Sequence, residues 1–215
     1  LAHCLNKMGA KISGIGSPRL VIEGVKNLNP IAYEVIPDRI EAGTFMAAAA
    51  ATESQLKIEN CRLNDMMAVV DTLRNIGVTV EPDNNGCTVA AKKPLKTVDI
   101  TTQPYPGFPT DLQAQFMAVL ALAEGNSIIT EKVFPDRFMH VAELSRMAAN
   151  LRKEGQTVII AGVDKLIAAP VMASDLRASA ALVLAALAAH GTTLVNRVYH
   201  IDRGYERIEE RLNPD

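Results

Sequence analysis

Three stretches of the chain repeat one pattern: PDRIEAGTFMAAAA from Pro37, PTDLQAQFMAVLALA from Pro109 and ASDLRASAALVLAALAA from Ala173. Each sets an aspartate, Asp38, Asp111 or Asp175, just ahead of an Ala-rich apolar run. A β-rich piece follows: ESQLKIENC from Glu53, GNSIITEKV from Gly125 or GTTLVNRVY from Gly191. Beyond it Asp65, Asp136 or Asp202 opens a second helical pattern, NDMMAVVDTLRNIG, DRFMHVAELSRMAANL or DRGYERIEERL. After the first two of these come alternating strand-like pieces, VTVEPDNNGCTVAA (78–91) and QTVIIAGVDKLIAAPVMA (156–173), and the Asn-Gly at 85–86 signals a hairpin. The unit reads helix, strand, helix, hairpin. Its leading aspartates lie 73 and 64 residues apart, a longer period than that of common solenoids. Such a chain folds as a small α/β module used three times.

The ends fall out of step with this period. LNKMGAKISGIGSPRLVIEG (5–24) aligns with LRNIGVTVEPDNNGCTVAA, so the chain opens inside a unit, and ERLNPD stops where a last hairpin is due. The expectation is a portion of a longer repeated protein. With 215 residues, 48% of them hydrophobic, the chain can bury a sizeable core. Its 22 basic and 24 acidic residues give a net charge of −2, which lacks the basic stripe of a nucleic-acid binder. Three widely spaced cysteines, Cys4, Cys61 and Cys87, with no CxxC, point to reduced thiols and a cytoplasmic setting. The longest apolar run, ASAALVLAALAA at 178–189, is shorter than the roughly 20 residues that span a bilayer, so no membrane span is expected.

An aspartate before a helix is ordinarily an N-cap, worth about 1 kcal/mol. The arginines ask for more. Arg39, Arg137 and Arg203 each follow an aspartate directly, and Arg177 sits two after Asp175, which places four cations in first helical turns. The helix dipole disfavours positive charge there by roughly 0.3–1 kcal/mol. Two offsets are open: local Asp–Arg surface pairs, or a multiply charged anion held between arginines and free helix-start amides. Asp111 also stands at the end of a stiff Tyr-Pro-Gly-Phe-Pro approach that leaves it little backbone freedom. GIGSP at 14–18 resembles the start of a dinucleotide fingerprint but has Arg19 in place of the glycine, and reads as a hairpin turn. His3, His140, His190 and His200 lack ligand spacing, so no metal site is expected.

LNKMGAKISG, PRLVIEGV, PDRIEAGTF, FPTDLQAQF, ITEKVFPDRFMHVAELSRM, SDLRASAALVLA and YHIDRGYERIE, in this order, resemble the C-terminal half of the UDP-N-acetylglucosamine enolpyruvyl transferases. The resemblance implies an α/β fold, an inside-out α/β barrel built from βαβαββ repeats. It assigns residues 1–35 to the end of a preceding N-terminal domain and 36–215 to an incomplete C-terminal enolpyruvyl transferase domain. It implies transfer of the enolpyruvyl group of phosphoenolpyruvate to the 3′-hydroxyl of UDP-N-acetylglucosamine, with release of phosphate, in the first committed step of peptidoglycan synthesis. No cofactor is implied beyond these two substrates.

By the same matching, Asp111 is the general base, made more basic by burial between domains. Val133 presents its backbone to the amino sugar with Phe134 beside it and Arg137 nearby. Arg203 grips the phosphate or the intermediate, and Asp175 and Arg177 hold the same anionic region, orienting Arg203. Asp38, Arg39 and Glu41 lie near the domain junction. The proton donor belongs to the absent N-terminal domain, so the chain alone is expected to be inactive. Two other readings stay open: the related transferase acting on shikimate 3-phosphate, and a non-catalytic binding half.

Overall fold

The computed structural model describes residues 1–212. The chain divides into two compact units, Leu1–Ile36 and Pro37–Asp215. In the first, helix α1 (Ala2–Lys7) precedes the antiparallel strands β1 (Lys11–Ser13) and β2 (Val21–Glu23). The GIGSP stretch is their turn, as the sequence suggests. Gly14 has φ +75°, and a Cβ there would meet the Arg19 carbonyl oxygen at 2.2 Å, so only glycine fits. Asn6 locks the helix to the hairpin, donating to the Ile12 carbonyl at 2.7 Å and accepting from its amide at 2.8 Å.

The second unit runs α2 (Arg39–Ala51), β3 (Gln55–Glu59), a 3₁₀ turn (Leu63–Met66), α3 (Met67–Asn75), β4 (Thr79–Asp83) and β5 (Gly86–Ala90). It continues with β6 (Asp99–Thr101), a 3₁₀ turn (Thr110–Leu112), α4 (Gln113–Leu120), β7 (Asn126–Thr130), α5 (Met139–Arg146), β8 (Asn150–Glu154) and β9 (Thr157–Ala161). Last come β10 (Val171–Met172), α6 (Leu176–Ala188), β11 (Val195–Asn196) and α7 (Ile208–Leu212).

The three Ala-rich runs are α2, α4 and α6. A helix that is apolar on every side has no solvent face, and these pack on one another: α4 against α6, and α2 against both. All of α4 is buried, and its Phe116 meets Phe108 edge-on, ring centroids 5.0 Å apart. Small alanine side chains let helix axes approach closely. At Gly43 in α2 a Cβ would stand 2.5 Å from a Leu112 methyl. The second helices of the first two repeats, α3 and α5, are amphipathic and lay a narrow face, Val69, Val70 and Leu73 or His140 and Leu144, on the core.

The strands form a three-stranded sheet, β3-β5-β4, a four-stranded sheet, β6-β7-β9-β8, and the pair β10-β11. Parallel pairs need a crossover, and α4 carries the chain from β6 to β7 as α6 carries it from β10 to β11. The repeat therefore has a leading strand in its second and third copies that alternation did not reveal, because β6 has only three residues and β10 two. Among the described residues these sheets remain separate and no closed barrel is formed.

Three details depart from the sequence reading. The hairpin at 83–86 turns on Asn84-Asn85, with Asp83 paired to Gly86 and the Asp83 carboxylate accepting from the Asn85 amide at 2.8 Å. Gly86 is a strand residue, required because a Cβ would lie 1.9 Å from the Ile58 carbonyl oxygen on β3. In the third repeat the β-rich piece shrinks to β11, and the helix expected from Asp202 begins only at Ile208, after turns. The last three residues of ERLNPD lie outside the described residues.

Candidate functional site

The three leading aspartates are alike in sequence and unlike in space. Asp38 and Asp175 are N-caps: Asp38 Oδ1 accepts from the amides of Ile40 and Glu41 at 2.7 and 3.3 Å, and Asp175 Oδ1 from those of Arg177 and Ala178 at 2.8 and 2.9 Å. Asp111 caps nothing. It sits within the 3₁₀ turn, where its carboxylate faces outward and meets two guanidinium groups. Arg137 Nη1 donates to Asp111 Oδ1 at 2.7 Å, and Arg177 Nε stands 3.6 Å from the same oxygen. Among the described residues no donor reaches Oδ2.

The approach to Asp111 is closed on itself rather than merely stiff. Gln103 N donates to the Phe108 carbonyl and Gly107 N to that of Pro104, both at 2.9 Å, and Phe108 and Leu112 are buried on either side. Gly107 is required, since a Cβ would lie 2.5 Å from that of Gln103. The Asp111 side chain is 39% exposed, so the burial expected for it is not supplied within this unit.

Arg137 and Arg203 do not lie in helices. Arg137 occupies the turn between β7 and α5, its guanidinium 5.6 Å from the Phe134 ring and its carbonyl accepting from Gln113 Nε2 at 3.1 Å. Arg203 is exposed in the turn before α7, and among the described residues no ion pair reaches it. Asp175 is spent on its cap and, among the described residues, makes no ion pair or hydrogen bond with Arg203. Val133 is half-buried and Phe134 exposed. Arg39 and Arg177 do stand in first helical turns, and neither is offset by the aspartate beside it. Arg39 lies 5.2 Å from the Tyr105 ring centroid, a cation–π contact, and Arg177 reaches Asp111 and the Tyr205 hydroxyl at 3.4 Å.

Sequence reasoning missed the polar groups beneath this surface. Tyr205 is 1% exposed; its hydroxyl lies 2.7 Å from Thr44 Oγ1 and 3.5 Å from Gln115 Nε2, which also donates to Thr44 at 3.1 Å. Thus α2, α4, α6 and the Arg203 segment meet at one hydroxyl. Two glutamines in the otherwise apolar QAQF, and the spacing of Ile201, Tyr205 and Ile208, were the available signals. Glu131 is fully buried and receives Thr102 Oγ1 at 2.6 Å, Thr110 Oγ1 at 2.8 Å and the amides of Val133 and Phe134 at 2.8 and 2.9 Å. Alternation along β7 points Ser127, Ile129 and then Glu131 inward, so its burial was legible in NSIITE. His140, at the start of α5, is 2% exposed, with Nε2 unpartnered among the described residues; burial pushes its pKa down to about 4.

The Cys61 side chain neighbours that of Cys87, a buried residue of β5. Burial, and secondarily the neighbouring Cys87 thiol, pushes Cys61 up to about 12, which disfavours its thiolate. Among the described residues no group of three His, Cys, Asp or Glu side chains could hold a metal ion, and no helix is long and apolar enough to cross a membrane.

The chain thus joins a repeated α/β unit with buried alanine helices to a carboxylate, Asp111, that two arginines meet on one oxygen. The EPSP synthase (3-phosphoshikimate 1-carboxyvinyltransferase) family model matches residues 1–212, and the chain belongs to that family. It is 54% identical over 213 residues to the UDP-N-acetylglucosamine 1-carboxyvinyltransferase of Granulibacter bethesdensis, covering 99% of this chain and 51% of that protein. With the enzyme of the same name from Anaeromyxobacter sp. the identity is 55% over 214 residues, 100% of this chain and 51% of the relative. The chain thus spans about half the length of the curated relatives it matches. Among solved structures, the enolpyruvyl transferase NikO from Streptomyces tendae superposes with a TM-score of 0.87 at 28% identity, covering 98% of this chain and 51% of that one. EPSP synthase from Acinetobacter baumannii shares the fold, with a TM-score of 0.74 at 20% identity over 99% of this chain and 53% of that one.

Proposed function

We propose that the protein carrying this chain transfers the enolpyruvyl group of phosphoenolpyruvate to the 3′-hydroxyl of UDP-N-acetylglucosamine, releasing phosphate. The observation that carries this reading is the convergence of Arg137 and Arg177 on one oxygen of Asp111, beside the 131–138 loop. In support stand relatives of that name at 52–55% identity over 99–100% of the chain. Asp111 Oδ2 accepts the sugar hydroxyl proton while Oδ1 is held by Arg137, so the base is oriented before substrate arrives. Arg177 and Arg137 balance the carboxylate and, with Arg203, the phosphate or intermediate; the exposed Arg203 is free to swing onto it. The backbone of Val133 and the ring of Phe134 face the amino sugar.

Residues 1–35 then finish a preceding domain, and the remaining residues form most of an inside-out α/β barrel. The other half of the protein contributes the facing wall, the proton donor and the desolvation that Asp111 lacks here. The reaction opens peptidoglycan synthesis in the cytoplasm, serving cell shape and division, and needs no cofactor.

Phosphate release from phosphoenolpyruvate plus UDP-N-acetylglucosamine tests this, with the chain alone and after addition of a separately made N-terminal half. Activity only on addition is the expected result. Activity of the chain alone would overturn the half-site reading, and competition binding that favours shikimate 3-phosphate over the nucleotide sugar would overturn the substrate.

A further inference from the structure

Glu131 lies directly after β7, at the point where the strand gives way to the loop bearing Val133, Phe134 and Arg137. It has no exposed surface and no cation in contact among the described residues. A buried polar group is costly unless its hydrogen bonds are met, and four partners meet this one. Oε1 accepts from Thr102 Oγ1 and from the amides of Val133 and Phe134; Oε2 accepts from Thr110 Oγ1. Two backbone amides that can only donate and two hydroxyls placed to donate suit a carboxylate acceptor.

The direction of these bonds fixes others. A threonine hydroxyl has one proton. Thr102 gives its proton to Glu131 and accepts from the Lys132 amide at 2.9 Å. Thr110 gives its own to Glu131 and so turns a lone pair toward Arg137 Nη1, 3.3 Å away, the same nitrogen that holds Asp111 at 2.7 Å. One buried carboxylate thereby ties down both the backbone of the loop and the residue adjoining Asp111.

We propose that Glu131 is a positioning residue for the transfer: Oε1 shapes the Val133–Phe134 backbone for the sugar, and Oε2, through Thr110, aims Arg137 at Asp111. This rests on the functional reading above.

The two oxygens can be separated in the full-length protein. In Glu131→Gln the amide oxygen keeps the three bonds of Oε1, while the NH₂ faces Thr110, whose hydroxyl must now accept and loses the acceptor for its own proton. The result expected is a kcat lowered about 10- to 100-fold, as for an active group displaced by a fraction of an ångström, with the KM for UDP-N-acetylglucosamine within about twofold of wild type. Glu131→Ala frees all four donors and should raise that KM as well, and speed hydrogen exchange at the Val133 and Phe134 amides at least about tenfold. A melting temperature that falls while kcat and KM per folded molecule stay at wild-type values would reduce Glu131 to a structural residue and overturn the proposal. Should wild-type protein fail to turn over these substrates, the functional reading falls. Exchange then still decides whether Glu131 holds the loop, and unchanged protection in Glu131→Ala refutes that too.

Discussion

Replacing His140 by leucine should flatten the acid limb of the stability profile. The imidazole is 2% exposed, and burial holds its pKa down to about 4, with Asp175 and Glu131 pulling it up and Arg137 pushing it down. In the unfolded chain it titrates near 6.5. Above that pH both states are neutral and ionisation costs nothing. Between pH 6.5 and 4 the unfolded chain takes up a proton that the native one refuses, so stability falls as pH falls. From the two pKa values the loss from this one group is about 1 kcal/mol by pH 5.5 and about 3 kcal/mol near pH 4. Carboxylates titrate in the same range, so the quantity to measure is the difference in unfolding free energy between wild type and His140→Leu across pH 7.5 to 4, by urea denaturation. Leucine is close in volume, and Nε2 has no partner to lose, so the variant should gain on wild type steadily as acid is added. Parallel profiles, or an imidazole resonance titrating between pH 6 and 7 in the native protein, would refute the reasoning.

Asp111→Asn removes the proposed base while keeping its shape. In the full-length enzyme kcat should fall about 10²- to 10⁴-fold, with unfolding free energy within about 1 kcal/mol of wild type because its ion pairs are half-exposed; a kcat within tenfold would contradict the assignment. Asp175→Ala takes the cap from the Arg177 and Ala178 amides and should cost about 0.5–2 kcal/mol in denaturant melts, the loss that capping predicts at this helix start. Tyr205→Phe strips the buried hydroxyl from Thr44, Gln115 and Arg177 and should cost about 1 kcal/mol, and equal stability of the two proteins would remove that hydroxyl from the account.

The threefold module was legible because its cues are local. Ala-rich runs on every helix face declare buried helices, and a leading aspartate declares a helix start at Asp38 and Asp175. Asp111 carries the same local signal and has a different fate. Whether a carboxylate caps a helix or faces two guanidiniums depends on where the next loop passes, and Arg137 comes from a turn 26 residues away, Arg177 from another helix altogether. The short β6 and β10 escaped notice because two or three residues show no period, and only their parallel partners make them strands.

By itself the sequence determined the repeat and the buried helices, and its motifs carried the family resemblance. The repeat and the helices follow from hydrophobic period, capping and turn geometry, which act over a few neighbouring residues. The tertiary structure decided which polar groups meet: Glu131 under the loop, Tyr205 joining three helices, and two arginines on one oxygen of Asp111. Hydrogen bonds and ion pairs of this kind need partners within about 3 to 4 Å, and chain segments far apart in sequence reach that distance only once the core has packed.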